Sequence, residues 1–245
     1  MAMSIVVGRT KQGYRGAAMT QTTARVRADF DRIAMLSEQH GWNHNNHYHD
    51  FLLRHVPRGC GEALDVGCGA GGFSRLLAGR CERVLGLDLS LEMVRVAREQ
   101  SRDYSNVEYE VADVMEWPFP ADRFDCIVSI ATLHHLPLSS MLVKMRDGLK
   151  VGGTLLMLDL YHARGVADKL TCMLAVPASL ALRVARGGGL REPPEVRRAW
   201  EEHGRYDMYP TLDEVRQACS EAIPGAKVRR HLFWRYSIVW TKGSG

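Results

Sequence analysis

The stretch from Ala63 to Ser74, ALDVGCGAGGFS, constrains this chain more than any other. Ala63, Leu64 and Val66 have the apolar character of a short buried strand, and glycines at 67, 69, 71 and 72 break it into a turn before a helix start. Glycine lets the backbone take positive φ angles and bring its N–H groups close to a ligand. The helix that follows adds unpaired N–H groups and a partial positive charge at the same spot. The turn is therefore expected to receive an anionic group, either a pyrophosphate or a carboxylate. Gly67, Gly69 and Gly72 also fit the dinucleotide pattern G-x-G-x-x-G, so the turn alone leaves an NAD(P)-dependent oxidoreductase open.

Asp65 begins to separate the readings. It sits two residues before the first glycine, at the end of the strand. A carboxylate there is awkward beside a pyrophosphate but suits a ligand that carries an ammonium group. An amino acid moiety has both groups, its carboxylate for the amides and its ammonium for the aspartate. With this D-x-G-x-G form, from Asp65 through Gly67, Cys68 and Gly69, the sequence resembles the class I S-adenosylmethionine-dependent methyltransferases of the small-molecule type.

Beyond about Gly61 strands and helices alternate, which predicts an α/β domain with a parallel sheet and helices on both faces. The expected strands are Ala63–Val66, Arg83–Leu87, VEYEV from Val107, Phe124–Ile130 and Thr154–Tyr161. A helix (LDEVRQACSEA) capped by Thr211 precedes the last two, AKVRRHL and WRYSIVWTK, whose closeness suggests an antiparallel hairpin at the sheet edge. The resemblance implies a three-layer sandwich on a seven-stranded, mostly parallel sheet. It covers roughly residues 60–161 through its motifs and, more weakly, the last strands.

Two further acidic residues stand at strand ends. Asp88 closes the second strand about 20 residues past the glycine turn, where a carboxylate can accept both ribose hydroxyls of NAD or of S-adenosylmethionine. Asp113 ends the third strand. The resemblance implies that it bonds the adenine amine, with the Val114 amide against the ring, and that Leu89, Met93 and the backbone around Ile130 complete the cofactor pocket. An oxidoreductase leaves Asp65 and Asp113 unexplained and lacks a Tyr-x-x-x-Lys pair. A binding protein without transferase activity, acting as a partner subunit, is the other rival, although nothing in the motifs looks degraded.

The fourth motif, IVSIATLHHL, has neither the Asn/Asp-Pro-Pro-aromatic tetrad of amino-directed nucleic-acid methyltransferases nor the Pro-Cys of cytosine C5 enzymes. It is similar to small-molecule enzymes, including quinone- and sterol-modifying ones. His134 and His135 fall where the fourth strand opens onto the substrate side, and an imidazole there could take a proton from an acceptor hydroxyl or amine. The alternative is that they only shape the pocket. The net charge of +4 is mild and the Lys and Arg residues are dispersed, so no nucleic-acid partner is expected. The expected partner is a small-molecule acceptor with an apolar body; the oligomeric state is left open.

The remainder of the chain frames this unit. Residues 1–20 are expected to be a poorly ordered leader, and residues 21–59 an N-terminal helical cap. That cap holds one helix from Thr22 or Thr23 to about Gln39, with Val26, Phe30, Ile33 and Met35 or Leu36 as its apolar stripe, and a second from about Asn46 to His55. The segment WNHNNHYHD reads as a lid, with Trp42, His47 and Tyr48 facing inward and Tyr48 meeting the cofactor. On a helix His44 and His47 could face one way but His49 points elsewhere, and no cysteine pair or H-E-x-x-H accompanies them, so no metal is expected. Residues 162–209 interrupt the alternation as a helical insertion within the domain spanning 60–245. Its apolar run Leu170–Ala185 is interrupted by Pro177 and is too short to span a bilayer, so no stable membrane insertion is expected. Six cysteines without a C-x-x-C pair and the absence of an opening signal peptide predict free thiols in a cytoplasmic protein.

Overall fold

Seven strands form one sheet in the order β3-β2-β1-β4-β5-β7-β6, and β7 alone runs against its neighbours. The strands are β1 (Cys60–Val66), β2 (Cys81–Asp88), β3 (Val107–Val111), β4 (Phe124–Ile130), β5 (Leu149–Leu160), β6 (Lys227–Arg230) and β7 (Arg235–Thr241). The computed structural model describes residues 16–36, 44–163 and 193–243, with side chains described from Thr23.

The central strands are apolar on both faces, which is why they read as near-continuous hydrophobic runs. Leu64, Val66, Ile127, Leu155 and Met157 enter one core with Met141, Leu142 and Met145 of α5 (Leu138–Gly148) and Val215 of α7 (Leu212–Ala222). The alternate residues Ala63, Cys126, Val128, Leu156 and Leu158 enter a second core. Phe73 and Leu77 of α3 (Gly72–Ala78) and Leu52 of α2 (His49–Leu53) pack there. Period-two alternation thus feeds two layers of helices from one sheet. A leucine buried this fully contributes about 1.5–3 kcal/mol.

The caps follow local chemistry. Ser90 Oγ accepts the Met93 N–H at 3.0 Å and starts α4 (Leu91–Gln100). Thr211 and Glu214 form a reciprocal capping box at α7. Outside the sheet, α1 (Gly16–Leu36) crosses from α4 to α6 (Pro194–Gly204): Asp31 accepts from the Ser90 hydroxyl, and Arg32 meets Glu202 at 2.6 Å. Among the described residues no helix is long and apolar enough to cross a membrane, and Cys60, Cys68, Cys81, Cys126 and Cys219 are buried thiols.

Several boundaries differ from the sequence reading. Helix α1 begins at Gly16, ahead of Thr22, because the Ala-, Met- and Gln-containing run before it has high helix propensity. Met35 is 66% exposed and leaves the stripe to Ile33, Phe30 and Val26. The stretch from Asn46 splits into a 3₁₀ turn (Asn46–Tyr48) and the short α2. Strand β5 starts at Leu149 rather than Thr154, since Leu149 already pairs with Phe124 across a register irregularity. The expected apolar run 170–185, Trp42 and most of the leader lie outside the described residues.

Candidate functional site

Strand β1 lies between β2 and β4, so the crossovers diverge on either side of it and leave a crevice at the strand ends. That crevice is a cavity of about 850 Å³. Asp65, Gly67, Cys68, Gly69, Asp88, Leu89, Met93, Asp113, Val114, Ile130, His134 and His135 all lie on its wall. The sequence reading placed these twelve in the site for separate reasons, and the fold brings them to one space.

The glycine turn is built tightly. Gly67 has φ 74°, and a Cβ there would stand 2.0 Å from Thr132 Oγ1. The turn does not, however, present its amides to an anion. The N–H groups of Gly67 and Cys68 both donate to Leu87 O (2.8 and 2.9 Å), that of Gly69 to Asp88 Oδ2 (2.8 Å) and that of Gly71 to Cys68 O (3.0 Å). The glycines serve close approach between the turn and the next strand, and the expectation of an anion on these four amides is corrected.

Asp65 is 2% exposed and accepts the Ser74 hydroxyl at 2.6 Å. Burial pushes its pKa up to about 6, the Ser74 bond opposes this, and Asp88 adds to it. Asp88 is raised as well, mainly by burial, although the Ser90 and Gly69 amides hold its charged form. The two carboxylates so placed attract a cation, and each oxygen retains acceptor capacity beyond its present bond. Asp113 Oδ1 accepts the Met115 N–H at 2.9 Å and its carbonyl accepts from Glu116 and Trp117, so it shapes a turn while lining the cavity.

At the end of β4, Ala131 takes φ 53° and its N–H bonds Leu158 O, which directs the chain into a 3₁₀ turn, Leu133–His135. There the two histidines diverge in character. His134 Nδ1 lies 2.6 Å from Asp159 Oδ1 and its backbone N–H donates to Asp159 Oδ2. A carboxylate accepts only, so Nδ1 carries the proton and Nε2 the lone pair. His135 has its pKa lowered to about 2, by burial first and then by His134 and His203. A group with so little affinity for a proton is a poor base near neutral pH, which counts against the proton-accepting role expected of His135.

The wall around the pair comes from residues far away in sequence. Phe30 of α1 stands edge-on to His135 and His203 at 5.9 and 4.8 Å, and Trp200 of α6 closes over Phe30. Asp207 Oδ1 is 3.6 Å from His135 Nδ1, and Tyr209 donates to Asp207 Oδ2 at 2.9 Å. Arg235, 8% exposed, lines the same cavity; its Nε donates to Asn45 Oδ1 at 2.8 Å and its Nη1 to Phe233 O at 3.0 Å. Burial lowers its pKa to about 10.

Tyr48 is the misplaced member of the predicted set. It is absent from the cavity wall and instead packs under β7, where its hydroxyl donates to Leu232 O at 2.9 Å. Asn45, Asn46 and His49 line the cavity in its stead, because the 3₁₀ turn rotates them there. His44 stacks on Phe233, His47 meets Tyr48 and Phe233, and His49 meets Phe73, so His44 and His47 share a neighbour while His49 turns elsewhere. Asp159, Asp207, His203 and Arg235 were missed. An aspartate within the apolar run TLLMLDLY was a usable signal for Asp159; the others carry none that is local.

Comparison with known proteins gives a consistent picture. Residues 63–153 match a family described as methyltransferase domain. An uncharacterised methyltransferase of Mycobacterium tuberculosis is 30% identical over 204 residues, covering 81% of this chain and 96% of the relative. The demethylmenaquinone methyltransferase of Bacillus licheniformis is 34% identical over 111 residues, 44% of this chain and 47% of that one. Among solved structures, phosphoethanolamine N-methyltransferase 2 of Haemonchus contortus with S-adenosyl-L-methionine superposes with a TM-score of 0.62 at 17% identity, over 96% of this chain and 62% of that one.

Proposed function

The chain belongs to the class I S-adenosylmethionine-dependent methyltransferases, and on that premise we propose that it methylates a small molecule seated between His134 and the aromatic wall of α1 and α6. One observation carries the reading: Asp65, Asp88 and Asp113, from three successive strand ends, line one cavity with the glycine turn. A carboxylate pair fits the ammonium and ribose ends of the cofactor, and Leu89, Met93 and Val114 supply apolar surface for a purine. When bound, S-adenosylmethionine supplies a methyl group already activated on a sulfonium.

What the chain contributes is placement and exclusion of water. Asp88 would accept the ribose hydroxyls, Asp113 and the Val114 amide would meet the adenine, and Asp65 would offset the ammonium. Ile130 and Ala131, at the end of β4, line the same cavity. His134, aligned by Asp159, has one ring nitrogen left to accept a hydrogen bond or proton from the acceptor's oxygen or amine. Phe30 and Trp200 offer an apolar face, which favours an acceptor with a ring or aliphatic body. The same cavity argues against a nicotinamide cofactor: a pyrophosphate needs amide donors, and those of Gly67 and Cys68 are committed to Leu87 O.

Calorimetric titration with S-adenosylhomocysteine beside NAD tests the reading. Micromolar binding of the former alone is expected, and Asp88→Ala should weaken it by about 1–3 kcal/mol, the cost of removing a buried partner. Binding of NAD in its place would overturn the assignment.

A further inference from the structure

His134, His135 and Asp207 each offer a donor atom, and these atoms lie within 4.8 Å of one another on the acceptor side of the cavity. The set is assembled from two distant segments, the turn after β4 and the chain after α6. We propose that these three side chains form a binding site for a divalent transition-metal ion.

Each residue is prepared for that role in a way that a purely structural cluster does not need. His134 gives Nδ1–H to Asp159, which keeps the Nε2 lone pair for another partner. Asp159 is itself fixed by the backbone N–H groups of His134 and Leu160 (3.1 and 2.7 Å). A carboxylate on the far nitrogen is the usual outer shell of a metal-bound histidine. His135 makes no hydrogen bond through either ring nitrogen among the described residues: Nδ1 is 3.6 Å from Asp207 Oδ1, and Nε2 is buried without a partner. Its side chain is only 10% exposed, and an imidazole so buried ordinarily bonds through at least one nitrogen. Asp207 uses Oδ2 for Tyr209 and keeps Oδ1 on the side of His135.

The spacing is close to what a cation requires. Donors about 2.1 Å from a tetrahedral ion stand roughly 3.4 Å apart, so the 3.6 Å between His135 and Asp207 is already near that value and an edge at the full 4.8 Å has to close by about 1.4 Å. A side-chain rotation covers such a shift. His203 stands beside the set, its Nε2 3.8 Å from Asp207 Oδ2 and its Nδ1 3.2 Å from Asp29, as a further imidazole with its own carboxylate. Two imidazoles with one carboxylate select zinc, cobalt, iron or nickel rather than magnesium or calcium. Three protein donors leave an open position, which suits a ligand from the acceptor.

This inference deepens the proposed function and rests on its placement of the acceptor. With the ion bound, His134 Nε2 is a ligand, and the ion holds the acceptor's oxygen in place of a hydrogen bond to the imidazole. The acceptor is then of the class that binds a metal through oxygen, such as a hydroxyl beside a carbonyl, a catechol-like pair or a carboxylate.

The test uses the full chain, stripped with chelator and titrated with Co²⁺, followed by visible absorption and calorimetry. One Co²⁺ per chain is expected, with d–d bands of a four- or five-coordinate N/O site. His135→Ala and Asp207→Asn should each weaken binding at least about tenfold, and Asp159→Asn about 10- to 100-fold through loss of the orienting carboxylate. His55→Ala, on an exposed helix end, should leave Co²⁺ binding unchanged. Less than about 0.2 Co²⁺ per chain, or affinity unchanged in both His135→Ala and Asp207→Asn, would overturn the site. S-adenosylhomocysteine titrated into the same samples separates the two ideas. Its binding without Co²⁺ sinks the metal alone, and Co²⁺ binding without it sinks the cofactor reading alone.

Discussion

Replacing Asp65 by Asn should make the protein more stable and unable to hold its cofactor. The carboxylate is 2% exposed, has the Ser74 hydroxyl as its one hydrogen-bond donor among the described residues, and faces the Asp88 charge. Its pKa of about 6 against an ordinary 3.8 is a shift of about 2 units, so keeping it ionised in the folded state costs roughly 3 kcal/mol. The sign follows from linkage: between pH 4 and 6 the folded state holds the proton that the unfolded chain has released, so stability falls as pH rises through that window and stays low above it. Asn retains an oxygen for Ser74 and has no charge to desolvate. The gain from Asp65→Asn should therefore approach about 3 kcal/mol at pH 8 and shrink to about half of that at pH 5. Urea denaturation of both proteins at the two pH values measures this difference, and contributions common to both cancel. In the same samples S-adenosylhomocysteine should raise the Tm of the wild type and leave that of the variant in place. A stability difference that does not change with pH, or a variant less stable at pH 8, would refute the argument that a desolvated charge is maintained there for a ligand.

Two other outcomes are expected. Gly67→Ala should destabilise the fold by about 2 kcal/mol or more, since the residue has φ 74° and its Cβ would meet Thr132 Oγ1 at 2.0 Å; thermal denaturation without ligand reads it. Tyr48→Phe should cost about 1 kcal/mol of stability through loss of the bond to Leu232 O while leaving S-adenosylhomocysteine affinity unchanged, and a tenfold weaker affinity would return Tyr48 to the cofactor site.

The parts of this protein legible in the sequence are those encoded within a few neighbouring residues. Short, near-continuous apolar runs specified the central strands, Ser90 and Thr211 announced their helices, and the glycine turn with Asp65, Asp88 and Asp113 marked one side of the cavity because each sits at a strand end that a parallel sheet must bring to the same edge. Local signals failed where a side chain's direction depends on what packs against it. Tyr48 reads as a lid residue, yet a 3₁₀ turn and the left-handed residues Phe233 and Trp234 seat it under β7. The amides of the glycine turn read as an anion site, yet the Leu87 carbonyl of the adjacent strand takes those of Gly67 and Cys68. Apart from His134 and His135, the wall of the cavity facing α1 and α6 is a product of tertiary structure. Phe30, His135 and Arg235 come from three distant stretches of the chain, and Trp200 and Asp207 from a fourth, α6 and the residues just after it. Sequence alone determined the sheet and the carboxylates on the cavity wall, because strand ends are fixed by short-range pattern. Only the packing of α1 and α6 over those ends decided the wall around His134 and His135, because burial pairs residues by surface and not by order.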